Sequence, residues 1–391
     1  MAVSMISGRR KMQGPNSFPR IAYCTLAAAA LILLSVGTGQ ATDEERPFLP
    51  QFLVSSTIPA NGDLNPYGVA LIPDDFPGGG LVRPGDVLVS NFNNSANLEG
   101  TGTTIIKLTP PDIVPSVTIG QSGNAVTFFQ SNLAGLSTAL GVLQRGFILV
   151  GNVPTTDGTP ATLSQGALQV VDRHGNLLET LSDATFLDSP WDLTIRDLGT
   201  QAQVFVSNVQ SGTVVRLDVA VSSSKVTVLN KTQIAVGYAH ATNPVVLVLG
   251  PTGLTYDPHT DVLYVASTAD NAIFAVPHAG KATAPVMKGT PVFADPHLRG
   301  PLALVFAPNG HLLTTNGDAV NSDPTHPSEI VEFTKSGGFI REFNVDAGQG
   351  GAFGMAILSG EHGFNFAAVD DVPNDISFYS LPTHHGSEDR D

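Results

Sequence analysis

Three aromatic residues hold the same place in a recurring phrase: Tyr67 in PYGVALI, Trp191 in PWDLTI and Phe353 in FGMAIL. Trp191 is the only tryptophan of the chain. Rings gathered at one place form the apolar floor of a small-molecule pocket, or they plug a packed opening. A second recurring place carries Asn91, Asn152, Asn208, Asn316 and Asp370, with Ser267 in the remaining copy. Asn and Asp at a strand end either bond turn amides or present hydrogen bonds to a ligand. Six-fold recurrence favours the turn, because one ligand does not need six such groups. Asn93 and Asn94 open the long polar loop NFNNSANLEGTGT and draw the sharper suspicion of ligand contact. Further along, NGDAVNSDPTHPSE contains Asp318, Asp323, His326 and Glu329. These residues could offer oxygen and imidazole ligands to a divalent metal such as calcium, with His240 and His297 as neighbours in the expected fold. His240, His259, His278 and His297 stand 19 residues apart, which matches no repeat of the chain and is read as chance.

Several chemistries have no sequence support. There is no nucleophile elbow, P-loop, H-E-x-x-H helix or EF-hand loop. Cys24 is the single cysteine, so no intrachain disulfide and no cysteine-built metal site is expected. Arg9, Arg10, Lys11 and Arg20 precede the apolar run Ile21–Val36, and Gly39-Gln40-Ala41 offers small residues for cleavage. Residues 1–41 therefore read as an export signal, with an uncleaved anchor as the alternative. Cleavage would leave 15 basic and 34 acidic residues. So acidic a chain is a poor partner for nucleic acid or an anionic membrane.

The elements that must position these residues are short β runs bounded by Gly, Pro, Asn and Asp. The second-strand ends just named recur at spacings of 61, 56, 59, 49 and 54 residues. Each follows a first strand that opens at Tyr67, Ala139, Trp191, Thr252, Leu302 or Phe353. A third strand follows in every unit and a fourth in most of them. Four strands at a period near 50 specify an all-β, six-bladed β-propeller of four-stranded antiparallel blades. The sixth unit lacks a fourth strand, while QFLVSSTI (Gln51–Ile58) stands alone before the first unit. That N-terminal strand is expected to complete the last blade and close the ring, removing an exposed edge. The expected organisation is residues 1–41 signal, 42–382 one propeller domain, and 383–391 a polar disordered tail.

The unit pattern resembles NHL-type repeats over about residues 50–382. It runs P-x-G and a hydrophobic strand, then a strand ending V-S/A-N/D, then a V-x-x-hydrophobic strand. It also resembles the wider group of six-bladed propellers that includes gluconolactonase-like, calcium-dependent lactonases. NHL-type propellers include binding platforms, lactone hydrolases and an amidating lyase, so the resemblance implies a fold more than an activity. The expected function is an exported binding scaffold that presents its channel-mouth face to a protein, a glycan or a small molecule. The alternative is a metal-dependent, lactonase-like hydrolase with a divalent ion in the channel. That group holds its ion with a Glu, an Asn and an Asp. Here Asn152 or Asn208 could be the Asn and Asp192 or Asp370 the Asp, but Tyr67 stands where the Glu is expected. The oligomeric state is not legible.

Overall fold

The computed structural model describes residues 51–109, 125–317, 324–360 and 363–381. The expected signal, Cys24, Asp318, Asp323 and the C-terminal tail lie outside the described residues. Six sheets make the blades, each with four antiparallel strands paired in the order first, second, third, fourth; in blade 3 the short strand Val286–Met287 adds a fifth, parallel to the fourth. Blade 1 comprises Leu64–Leu71, Val87–Asn93, Thr104–Leu108 and Val126–Gln130. Blade 2 comprises Leu136–Leu143, Phe147–Asn152, Leu168–Asp172 and Leu177–Leu181. Blade 3 comprises Pro190–Asp197, Gln201–Asn208, Thr213–Val221 and Val226–Val236. Blade 4 comprises Pro251–Asp257, Val262–Ser267, Ala272–Pro277 and Thr290–Phe293. Blade 5 comprises Pro301–Phe306, Leu312–Asn316, Glu329–Phe333 and Phe339–Asn344. Blade 6 takes Ala352–Gly360, Gly363–Asp370 and Asp375–Leu381 from the end of the chain. Its fourth strand is the N-terminal Gln51–Ser56, paired antiparallel from Gln51 opposite Ser380 to Ser56 opposite Asp375. The expected closure is the observed one.

The core sits mainly between neighbouring blades. Ile72, Leu88, Ile105, Leu140, Ile148 and Val150 pack blade 1 on blade 2. Val87, Val89, Ile106, Ala367, Val369 and Ile376 pack blade 1 on blade 6. Alternation along each second and third strand feeds one interface from each face of the sheet, as a two-residue period requires.

All six first strands are interrupted at the same step. The pairing register shifts between Pro66 and Val69, Leu136 and Leu140, Pro190 and Leu193, Pro251 and Leu254, Pro301 and Leu304, and Ala352 and Met355. A bulge re-aims the side chains within it. Tyr67, Ala139, Trp191, Thr252, Leu302 and Phe353 all lie within these steps.

Hydroxyls stitch the bulges together. In blade 1, Gly68 N–H donates to Ser90 Oγ (2.9 Å), which donates to the Ser137 carbonyl of blade 2 (2.7 Å). Asp192 N–H donates to Ser207 Oγ (3.1 Å), which donates to the Thr252 carbonyl (2.7 Å). Ala303 N–H donates to Thr315 Oγ1 (2.9 Å), which donates to the Phe353 carbonyl (2.7 Å). Where the second strand offers Gly151 or Ala266 instead, Ser137 and Thr252 of the first strand reach the next blade, at the Pro190 and Pro301 carbonyls. These backbone groups are freed by the bulge, and buried orphans of this kind are costly.

Candidate functional site

At the mouth of the central channel, the segments entering the first strands and those joining second to third strands enclose a cavity of about 220 Å³. Its aromatic wall is Tyr67, Trp191 and Phe353, joined by Leu302 and Thr252. Three of the aromatic positions picked from the repeat thus converge. Tyr67 is sandwiched: Phe353 stacks on one side at 4.2 Å between centroids and Phe92 at 4.4 Å. Trp191 leans on Tyr67 at 5.7 Å. Ala139 of blade 2 is fully buried and does not line the cavity.

Two carboxyl groups complete the wall, Glu99 and Asp371. Glu99 comes from the long loop after the second strand of blade 1. That loop is propped by blade 2: Thr155 N–H donates to the Gly100 carbonyl at 2.9 Å, and Gly135 N–H to the Gly102 carbonyl at 2.7 Å. Burial raises the Glu99 carboxyl from its ordinary 4.5 to about 7. Asp371 directly follows the second strand of blade 6. Burial holds its carboxyl well above the usual range, and the charges of Asp370, Glu99 and Asp346 push it further. Both carboxyls thus hold their protons more tightly than exposed ones, Glu99 ionising near neutrality. Burial also lifts the Tyr67 hydroxyl, with Glu99 and Asp371 adding to the effect and a hydrogen bond from Asn65 opposing it.

Asn65 lines the cavity as well, with φ of +62°, a left-handed conformation that Asn tolerates better than most residues. A short hairpin, Ala241–Asn243 with Leu247–Leu249, precedes blade 4 and contributes Val245, Val246, Val248 and Leu249 to the wall. Two polar wall residues each leave an atom unpartnered: Trp191 Nε1 and Asn65 Oδ1 are buried without a hydrogen bond.

The remaining candidates sit elsewhere. Asn91 donates to the Thr57 carbonyl (3.1 Å), Asn152 to Ala134 (2.8 Å), Asn208 to Phe186 (3.1 Å) and Asn316 to His297 (2.8 Å). Each ties down the segment leading into its own blade. Asn93 Nδ2 donates to Asn97 Oδ1 at 2.8 Å inside its loop. Asp370 accepts from Val372 N–H at 3.1 Å and stands behind Asp371, its carboxyl raised to about 7 by burial and by Asp346. His326 lies 3.6 Å from Glu342, on the outer strand of blade 5. Its proposed companions Asp318 and Asp323 are outside the described residues. Among the described residues, no three His, Cys, Asp or Glu side chains converge on a common point.

Asp192 lies deeper, in the channel below the mouth, among Val69, Leu140, Leu254, Leu304 and Met355. It accepts from Leu254 N–H and Leu193 N–H, both at 2.8 Å, and burial raises it to about 8. This carboxyl pins blade 3 to blade 4.

The raised carboxyls have a consequence for stability. A folded-state value above the unfolded one means the folded protein binds the extra proton, so the contribution of Glu99 to stability is greatest at low pH. It declines as pH rises from about 4.5 through about 7, where Glu99 ionises. Glu99→Gln is expected to flatten this decline and to stabilise the protein at pH 8 by about 1–2 kcal/mol, after discounting for the partial exposure of the group. Urea midpoints at pH 5 and pH 8 measure it; equal pH dependence in variant and wild type would refute the assignment.

No protein-family model matches the sequence, and no curated protein matches it. Solved structures do. A luciferin-regenerating enzyme matches at 9% identity and a TM-score of 0.49, over 85% of this chain and 96% of that one. A protein assigned as a gluconolactonase matches at 12% and 0.48, over 84% and 92%. The calcium-binding protein regucalcin of Agrobacterium tumefaciens matches at 15% and 0.46, over 84% and 94%. Likeness at this level does not extend to ligand or activity.

Proposed function

We propose that this chain is an exported binding protein whose channel mouth takes a small organic ligand. The observation that carries the reading is the cavity itself. It joins three aromatic side chains from three blades to two carboxyl groups, with a hairpin forming one side. Ligand sites are concave, largely apolar and furnished with a few placed polar groups, and this mouth has that make-up. A packed plug would leave no such volume. The clefts described on the outer strands are more open to solvent than the mouth, which encloses a ligand better.

Trp191 makes the test direct, because its emission reports from the cavity wall and from nowhere else in the chain. In a screen of small amines, alcohols, sugars and carboxylic acids, at least one class is expected to shift Trp191 fluorescence in a saturable way and raise Tm. Tyr67→Ala and Phe353→Ala are expected to weaken that binding by about tenfold or more, in line with loss of an aromatic contact. A screen in which no class perturbs Trp191 would sink the reading.

One observation favours a second role. Glu99 changes charge near neutral pH beside the cavity, as a general acid–base group does. On this reading the mouth hydrolyses a lactone or ester. The hydrolysis rate would then inflect near pH 7 and be lost in Glu99→Gln. Beside Glu99 and Asp371 the mouth offers side-chain oxygens of Thr252, Thr268 and Gln349, and neither reading routes a step through a metal.

A further inference from the structure

We infer that the ligand is an organic cation, an ammonium group carried on an apolar body, held between the aromatic faces and the Glu99 carboxylate. This rests on the mouth being a ligand site and names the class of its ligand.

Three observations converge. First, among the described residues the lining contains no Lys, Arg or His, while it contains Glu99 and Asp371. Two part-buried carboxyls in one wall, with no cationic side chain described there, leave an uncompensated negative charge once Glu99 ionises. A bound cation supplies the missing charge. Second, the groups that act on this wall are acids as well: Asp370 and Asp346 both bear on Asp371. An anionic ligand is therefore disfavoured once these acids ionise. Third, Phe353 is partly exposed and lines the cavity beside Trp191, and a cation over an aromatic face gains most when desolvated.

Competing ligand classes fit less well. A sugar needs many donors and acceptors at once, while much of this wall is Val, Leu and aromatic carbon. A bare divalent ion needs converging oxygens, and no such group occurs among the described residues. The chain's formal charge of −15 draws cations toward the protein in any case.

The test uses a matched pair on the full chain: 2-phenylethylammonium and 2-phenylethanol, which share size and shape and differ in charge. Trp191 fluorescence and calorimetry read both. At pH 8 the cation is expected to bind at least about tenfold more tightly than the alcohol, a modest share of a desolvated cation–π contact plus a charge-assisted bond. Below about pH 7 its affinity is expected to fall by up to about tenfold per pH unit as Glu99 takes up its proton, while the alcohol's affinity stays level. The ammonium itself, titrating at roughly 10 as lysine does, remains charged throughout. Glu99→Gln is expected to abolish both the preference and its pH dependence, and Asp371→Asn to change them little. If the alcohol binds as well as the cation, the cation inference fails and the ligand site stands. If neither perturbs Trp191 but sugars or acids do, the inference fails in the same way. If nothing binds, both fail. Should Glu99→Gln not fold, the pH series on the wild type decides alone.

Discussion

Excising Gln51–Ser56 is expected to abolish cooperative folding. These six residues form the fourth strand of blade 6, and their partners lie more than 300 residues away at the other end of the chain. Without them the third strand, Asp375–Leu381, becomes a bare edge that invites aggregation. The adjoining Thr57, fully buried, also loses its place. It donates to the Asn374 carbonyl at 2.9 Å, and its own carbonyl accepts from Asn91. The expected loss exceeds about 5 kcal/mol, comparable to the whole stability of many domains. Circular dichroism on heating and gel filtration should show a broad, weak transition and soluble aggregates. Re-attaching QFLVSS behind Leu381 through a short turn restores an antiparallel partner for the same strand and is expected to recover folding. Recovery failing, or the excised protein melting as sharply as wild type, would show that the ring does not depend on this closure.

Phe92→Ala is expected to cost about 3–5 kcal/mol and to weaken ligand binding with it. Phe92 is fully buried and supports the aromatic floor from below, stacked on Tyr67 at 4.4 Å and edge-on to Trp191 at 5.9 Å. Its removal leaves a void under the very rings that line the cavity, so Tyr67 has room to tilt. Phe353→Ala contrasts with it: Phe353 is only partly buried and lines the cavity directly, so its removal should cost less stability and as much binding. Denaturant midpoints at unchanged m, beside Trp191 titrations, separate the two effects. If Phe92→Ala binds and folds like wild type, the support role assigned to it is wrong.

The recurring V-S-N ending divides into two jobs that the letters alone did not separate. The serine or threonine (Ser90, Ser207, Thr315) spans from its own bulge to the next blade. The asparagine after it ties the incoming segment of its own blade. Both jobs are structural, and this explains why the motif repeats while the cavity does not. The cavity draws instead on what differs between blades: the one tryptophan, one long loop carrying Glu99, one aspartate after Asp370, and one inserted hairpin before blade 4. Of these, the aromatics and the blade 1 loop were visible as candidates. Glu99 was hidden inside that loop among other polar residues, and Asp371 stood beside a repeat position rather than on it. The hairpin had a weak signal, the valine-rich run after Asn243-Pro244, whose Asn-Pro pair marks a turn.

Strand number, blade count, ring closure and the face that gathers the loops were all determined by the sequence, because they follow from local patterns. A two-residue alternation makes a strand, Gly and Pro end it, and six similar units of about 50 residues leave one geometry that covers every edge but the outermost. What only the tertiary structure decided is which side chains meet. Glu99 and Asp371 lie in different blades at opposite ends of the chain, and only closure of the ring brings them to one wall. The altered acidity of Glu99 comes from burial, and that of Asp371 from burial and the charges of Asp370, Glu99 and Asp346, quantities that no window of sequence contains.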